Sequence, residues 1–297
     1  MPDHKRTCFI FNPSANGGRA ARQEKKLKYR ISKYWPDAEW IVTRPDNKNW
    51  AKLAGKTDQF NLLVACGGDG TVHNTGNLAA NAGSALGVIP LGSGNDFAKM
   101  NNIPESVDSA IDLLRINFIK EIDLIHCSGD ISCWCLNTIG FGLDGLANYY
   151  TNYYKRYIGK SGYLPGALQA AMISKPKQIG LRIDGNEEKI KSLLMLTACN
   201  GFREGGRFLV APDAVIDDGK MNLLKVLPMN KLALLMALPQ FVNRFPKHLK
   251  QIESCTCKTL EISSKDPVTL HVDGEYSGKE VNIIRLEVIK KAVRLLV

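Results

Sequence analysis

Asn61-Leu62-Leu63-Val64-Ala65-Cys66-Gly67-Gly68-Asp69-Gly70-Thr71 reads as an apolar strand running straight into a glycine turn. An apolar run without alternation fits a strand covered on both faces, as in a parallel sheet. The segment from Gly67 to Ala80 turns helical, so the glycines sit where a strand hands over to a helix. Glycines at that point let backbone N–H groups approach phosphate oxygens, and the helix N-terminus adds partial positive charge. Asp69 has the wrong charge to touch phosphate itself. Its natural role there is to hold Mg²⁺, which then bridges to the phosphates. The stretch is neither a Walker A loop, since no Gly-Lys-Ser/Thr follows, nor a GxGxxG dinucleotide turn.

Working outward, the same alternation fills the first ~125 residues. Thr7–Phe11 is a short strand ending at Asn12-Pro13, Gly18–Tyr34 is helical, Glu39–Thr43 is a strand, Asn49–Gly55 a short helix, and Ala85–Pro90 the next strand. Strands separated by helices imply right-handed βαβ units and a doubly wound α/β sheet. Two more small-residue loops close neighbouring strands: Asn12 to Gly18, and Leu91-Gly92-Ser93-Gly94-Asn95-Asp96-Phe97. Ligands of open parallel sheets bind beyond the carboxyl ends of the strands. The three loops therefore predict one phosphate-lined crevice.

After about Glu121 the pattern changes. Ser132–Ile139, Gln178–Asp184, Lys189–Ala198, Lys220–Leu227, Thr259–Ser264 and Val268–Val272 read as strands, with turns at Asp184-Gly185-Asn186 and Asp273-Gly274. Helical inserts at Asp144–Ser174 and Met229–Phe245 interrupt them. The expected architecture is an α/β doubly wound domain over residues 1–125 and a mainly antiparallel β-sandwich over 126–297, with the chain end free to return to the first domain.

The chain has 297 residues and a formal charge of +10, from 39 Lys+Arg against 29 Asp+Glu. Residues 126–297 hold 23 basic and 16 acidic residues, against 16 and 13 in residues 1–125. Two stretches of the second half lack acids, Gly145–Asn186 apart from Asp184, and Gly219–Ile252. The first mixes tyrosines with Lys155, Arg156, Lys160, Lys175 and Lys177, and the second sets Arg244, Lys247 and Lys250 behind an apolar run. Such a surface suits an anionic membrane. No nucleic-acid-binding motif accompanies it, so nucleic acid is not an expected partner. No apolar run approaches the ~18 residues of a membrane-crossing helix, and the start does not read as a secretory signal. The expectation is a cytoplasmic protein with eight reduced cysteines. Cys133-x-Cys135 and Cys255-x-Cys257 read as alternating strand residues rather than zinc ligands.

FNPSANGG (Phe11–Gly18), Thr43, GGDGT (Gly67–Thr71), PLGSGNDFAK (Pro90–Lys99) and HVDGE (His271–Glu275) together resemble the diacylglycerol kinase catalytic-domain family and its bacterial soluble lipid-kinase relatives. The order holds from about Thr7 to Leu286. GGDGT alone is shared with NAD kinases; GSGNDFA about twenty residues later is more specific. The resemblance implies that ATP lies against Asn12, Pro13, Ser14, Ala15, Asn16, Thr43, Gly67, Gly68, Asp69, Gly70, Thr71, Val72 and Ser93. It implies that Asp69 organises a catalytic Mg²⁺, with Asp123 through water, and that Glu275 is the general base on the lipid hydroxyl. Val215, Asp218 and Lys220 would hold a structural Mg²⁺ through the Asp218 side chain and two carbonyls. The chain departs from the pattern at His73-Asn74, where many relatives place Asn-Glu, and at Ser93, where Thr is common.

The implied activity is ATP- and Mg²⁺-dependent phosphorylation of diacylglycerol to phosphatidic acid, at a membrane that the protein contacts peripherally. Alternatives are a kinase of another lipid alcohol (sphingoid base, ceramide or polyprenol), and a catalytically silent nucleotide- or lipid-binding regulator. The reading leaves room for a homodimer.

Overall fold

The computed structural model describes residues 6–43, 48–205, 208–243 and 245–297, with side chains throughout except at Lys48, Asn49, Ala51, Arg156, Lys160, Lys189, Asn243, Tyr276 and Ser277. Arg244 and the side chains of Arg156 and Lys160, read above as part of a basic surface, lie outside the described residues. The chain forms two compact units, Met1–Ile122 with Lys291–Val297, and Asp123–Lys290.

In the first unit β1 (Thr7–Phe11), α1 (Glu24–Ser32), β2 (Glu39–Val42), α2 (Lys48–Ala54), β3 (Leu62–Gly67), α3 (Asp69–Ala82) and β4 (Ala85–Pro90) alternate, followed by α4 (Asp96–Met100) and α5 (Val107–Ile116). Strands β1 to β4 pair in parallel: β1 lies between β2 and β3, and β4 flanks β3. The chain reaches β2 on one side of β1 and β3 on the other, so the switch point falls between β1 and β3. Every residue of β1, β3 and β4 is buried, as their unbroken apolar runs require. Phe9, Phe11, Leu27, Val64, Ile89 and Leu114 belong to one core. Helix α3 stops at Gly83, whose φ of 67° takes the left-handed conformation glycine adopts without strain.

The second unit is the antiparallel, sandwich-like part. β5 (Ile119–Gly129) leads into it, followed by β6 (Cys133–Cys135), β7 (Thr138–Gly142), α6 (Leu143–Ile158), α7 (Tyr163–Ile173), β8 (Lys177–Ile183), β9 (Asn186–Leu193) and β10 (Met195–Cys199). Short β11 (Arg203–Glu204) and β12 (Phe208–Leu209) precede β13 (Met221–Val226), α8 (Lys231–Ala237), α9 (Gln240–Asn243), β14 (Ile252–Cys257), β15 (Thr259–Val272) and β16 (Glu275–Leu296). The strand order β14-β13-β10-β7-β15-β16 runs across its main sheet. The final residues of β16 belong to the first unit, where Arg294 and Leu295 pair in parallel with Ala85 and Leu86.

Several elements differ from the sequence reading. Ser132–Ile139 is two strands, because the N–H groups of Leu136, Asn137 and Thr138 all turn to the Asp273 carboxylate. Lys189–Ala198 is also two strands, broken at Leu194, whose N–H bonds Val226 and whose carbonyl accepts from Leu143. Conversely, Thr259–Ser264 and Val268–Val272 are one strand whose register against β16 shifts between Ser263 and Val268. Strands β5, β14 and β16 and helix α5 were not anticipated. Cys127, Cys133, Cys135 and Cys257 point into the second unit's apolar core. All eight cysteines are free thiols.

Candidate active site

The carboxyl ends of β1, β3 and β4 gather the glycine-rich loops of the first unit. At the switch point Asn12 donates its side-chain N–H to Thr71 Oγ1 at 3.1 Å, tying the loop after β1 to the first turn of α3. The Asn12 backbone N–H bonds the Cys66 carbonyl at 3.0 Å, and Asn12 Oδ1 accepts from the Ser14 N–H at 2.9 Å. Thr43 follows β2 and directs both its N–H and its hydroxyl to the Phe11 carbonyl. Asn16, Gly17 and Gly18 have φ of 53°, 63° and 83°, so the chain after β1 bends through a left-handed run. Ala15 is buried, Ser14 exposed and Ser93 exposed. Val72 is buried within α3, as is His73.

The loops after β3 and β4 pass glycine to glycine. A Cβ at Gly68 would stand 3.1 Å from the Gly92 Cα, and one at Gly92 would strike the Gly68 backbone. Asn95 holds the second loop by closing a reciprocal pair with Gly92, at 2.9 and 3.2 Å. Asp69 lies under this crossing. Its Oδ1 accepts the Phe97 N–H at 3.3 Å, and a Cβ at Gly94 would lie 2.8 Å from its Oδ2. Removal from water, reinforced by the charge of Asp96, pushes the Asp69 pKa up to about 6 against the pull of the Phe97, Asn95 and Asp96 amides. A half-buried carboxylate that resists charging, set among glycines, fits a hard divalent cation.

The second unit places the remaining candidates. Asp123 is fully enclosed, accepting the Gly219 N–H at 2.6 Å while its own N–H bonds the Ile216 carbonyl. It therefore grips the loop that carries Val215, Asp218 and Lys220. Asp218 Oδ1 accepts the Lys220 N–H at 2.9 Å, which holds the carboxylate against the backbone of its own loop. The donor set, one carboxylate and backbone carbonyls, suits Mg²⁺ chemically. Asp69 falls in one unit, and Asp123, the 215–220 loop and Glu275 in the other.

Glu275 opens β16 and pairs with Val272 across a two-residue turn, Asp273-Gly274, whose φ values of 52° and 83° give the hairpin its tight return. The turn is held firmly. Asp273 accepts N–H bonds from Leu136, Asn137 and Thr138 at 2.9, 2.8 and 3.0 Å, and Asn152 of α6 reaches the Gly274 carbonyl. Glu275 itself is half-buried.

One cluster has no local sequence signal. His271 and Thr197 flank Gly140 in register on β15, β7 and β10. Into the space a Gly140 side chain would fill comes the Asp144 carboxylate, bonded to the Thr197 hydroxyl at 2.5 Å. His271 Nε2 lies 3.4 Å from Asp144 Oδ1 and 2.9 Å from Glu204 Oε1. Among the described residues this is the one group of three His, Cys, Asp or Glu side chains whose ligating atoms lie within 4.8 Å of one another. Burial opposes charging the imidazole, but Glu204 and Asp144 outweigh it and raise its pKa well above the usual histidine value. The direction of that shift favours a proton on the ring, facing the two carboxylates. The Gly274 N–H, 3.3 Å from Nδ1, works the other way, since it needs a lone pair there.

Residues 6–127 match the family model described as diacylglycerol kinase catalytic domain, and residues 137–297 the one described as YegS C-terminal NAD kinase beta sandwich-like domain. A diacylglycerol kinase of Staphylococcus aureus strain JH9 is 31% identical over 292 residues, covering 95% of this chain and 90% of that protein. A diacylglycerol kinase of Staphylococcus saprophyticus is 28% identical over 283 residues, covering 93% and 90%. In fold, the chain is similar to the crystal structure of a diacylglycerol kinase from Bacillus anthracis, with a TM-score of 0.74, 19% identity and coverage of 100% and 98%. An NAD kinase from Archaeoglobus fulgidus solved with ATP shares the fold at a TM-score of 0.55 and 14% identity, covering 98% of this chain and 93% of that one.

Proposed function

The chain belongs to the diacylglycerol kinase family and is a lipid kinase, and from that premise we propose that it transfers the γ-phosphoryl group of ATP to the hydroxyl of diacylglycerol, giving phosphatidic acid. The observation that carries this reading is the place of Asp69, a carboxylate that accepts the Phe97 N–H where the glycine loops of β3 and β4 cross.

The phosphates of ATP lie along Asn12–Asn16, Thr43, Gly67–Val72 and Ser93. Backbone N–H groups and missing side chains there let anionic oxygens come close. When bound, Mg²⁺ neutralises charge on the phosphates, the dominant electrostatic demand of phosphoryl transfer. Asp69 is its carboxylate ligand. Asp123, gripping the 215–220 loop, supports a second, structural Mg²⁺ at Val215, Asp218 and Lys220. Glu275 accepts the proton of the attacking lipid hydroxyl, and the pinned Asp273-Gly274 turn keeps its backbone from wandering. The substrate comes from a bilayer, so the enzyme works in peripheral contact with a membrane.

The test is transfer from γ-labelled ATP with Mg²⁺ into mixed micelles of diacylglycerol, ceramide, sphingosine or undecaprenol, beside an Asp69→Ala protein. Labelled phosphatidic acid that vanishes with Asp69→Ala supports the reading. Label in a different lipid keeps the mechanism and replaces the substrate, and transfer undiminished in Asp69→Ala removes Asp69 from it.

A further inference from the structure

Three neighbouring helices of the second unit leave large apolar side chains in water at intervals of one turn. On α6 the exposed row ends at Tyr157, 72% exposed; α7 shows Leu164 and Met172 at 66% and 57%, with Leu168 between them; α8 shows Leu232 and Met236 at 69% and 66%. Helices α6 and α7 pack closely enough that a Cβ at Gly166 would meet the Thr151 backbone, and Lys231 of α8 donates to the Ala171 and Ser174 carbonyls at the end of α7. Contiguous apolar exposure of this kind marks an interaction surface.

Charge selects the partner. Residues 145–183 and 219–252 contain no Asp or Glu, and the one acid of these three helices, Asp144, is buried. The helices and their flanks carry Lys155, Lys175, Lys231 and Lys250. Two copies meeting through this face would bring like charges together, whereas an anionic lipid surface offers both apolar depth and opposite charge. The row on α6 also leads to the proposed base, since the Tyr149 ring packs where a Cβ at Gly278 would fall, three residues beyond Glu275.

We propose that the exposed face of α6, α7 and α8 docks the enzyme on an anionic lipid bilayer. This rests on the reading that the substrate is drawn from a membrane. The experiment compares wild type with a Leu164→Gln/Leu168→Gln/Met172→Gln protein by sedimentation with phosphatidylglycerol-containing vesicles and with pure phosphatidylcholine vesicles. Kinase activity is measured on diacylglycerol held in those vesicles and on a short-chain diacylglycerol in solution. The expected result is anionic-vesicle binding and vesicle activity at least about tenfold weaker in the variant, with activity on the soluble substrate unchanged. In a second arm, brominated anionic lipid should quench the tryptophan fluorescence of a Leu168→Trp protein more than that of wild type. Undiminished vesicle binding with no added quenching overturns the proposal. So does a wild-type dimer that the triple substitution splits while vesicle binding persists, which would assign the face to a second copy. If wild type phosphorylates neither diacylglycerol, the functional reading fails, and the vesicle arms still decide the docking face.

Discussion

Phe97 donates its backbone N–H to Asp69 Oδ1 across 3.3 Å, so the loop after β4 is hydrogen-bonded to the carboxylate that follows β3. The contact makes the protonation state of Asp69 a property of both loops at once.

The first prediction follows from that state. With a folded pKa of about 6 against an ordinary 3.8, Asp69 favours its neutral form in the fold. The sign is therefore destabilising above pH 6 and neutral below 4, with a size of about 3 kcal/mol. Asp69→Asn should raise the metal-free stability at pH 8 by an amount of that order and leave it unchanged at pH 4, read by chemical denaturation at both pH values. Wild-type Mg²⁺ affinity should rise as pH increases through about 6, because the cation displaces the proton.

Gly92→Ala inserts a methyl group against the Gly68 backbone, so the two loops must separate. The expected outcome is a KM for ATP raised by about tenfold or more with the melting temperature lowered only slightly, since a displacement of about 1 Å at a site is costly to function. An unchanged KM would detach this crossing from nucleotide binding.

Asp273→Ala removes the acceptor of three N–H groups. Stability should fall by about 3 kcal/mol, as bonds to a charged acceptor are lost and buried amides left unmade. Glu275→Gln, in contrast, should keep the stability and ATP affinity of wild type and lower kcat by about 10²- to 10⁴-fold. Thermal melts, nucleotide titration and steady-state kinetics separate the two.

His271→Ala strands Asp144 and Glu204 without their balancing charge, at a cost of about 3–5 kcal/mol. A histidine with a raised folded pKa contributes its stability fully below its unfolded value of about 6.5 and loses it as pH climbs through the folded value, which stands well above 6.5. The gap between wild type and variant should thus be widest at pH 6 and narrow in alkaline buffer, measured by denaturation across that range.

The first unit was legible because its information is local. Leu62–Gly67 is apolar without alternation and the glycines follow at once, so strand, turn and helix could be read from one stretch. What the loops do to each other was not legible, because the Asn12–Thr71 bond spans 59 positions and depends on β1 lying beside β3. In the second unit, Asp144, Glu204 and His271 share no spacing at all. They meet through the register of β7, β10 and β15 and through the bare Cα of Gly140. Asp273 was visible as a turn residue, but its grip on residues 136–138 was not, and that grip is also why Ser132–Ile139 misreads as one strand.

The last residues of β16 close the edge of the first unit, beside β4. During synthesis, then, β1 to β4 emerge from the ribosome well before their outer strand, which waits until Arg294 and Leu295 have been made. A frameshift or nonsense codon shortly before Arg294 would injure a unit made about two hundred residues earlier, leaving β4 with an unpaired, adhesive rim.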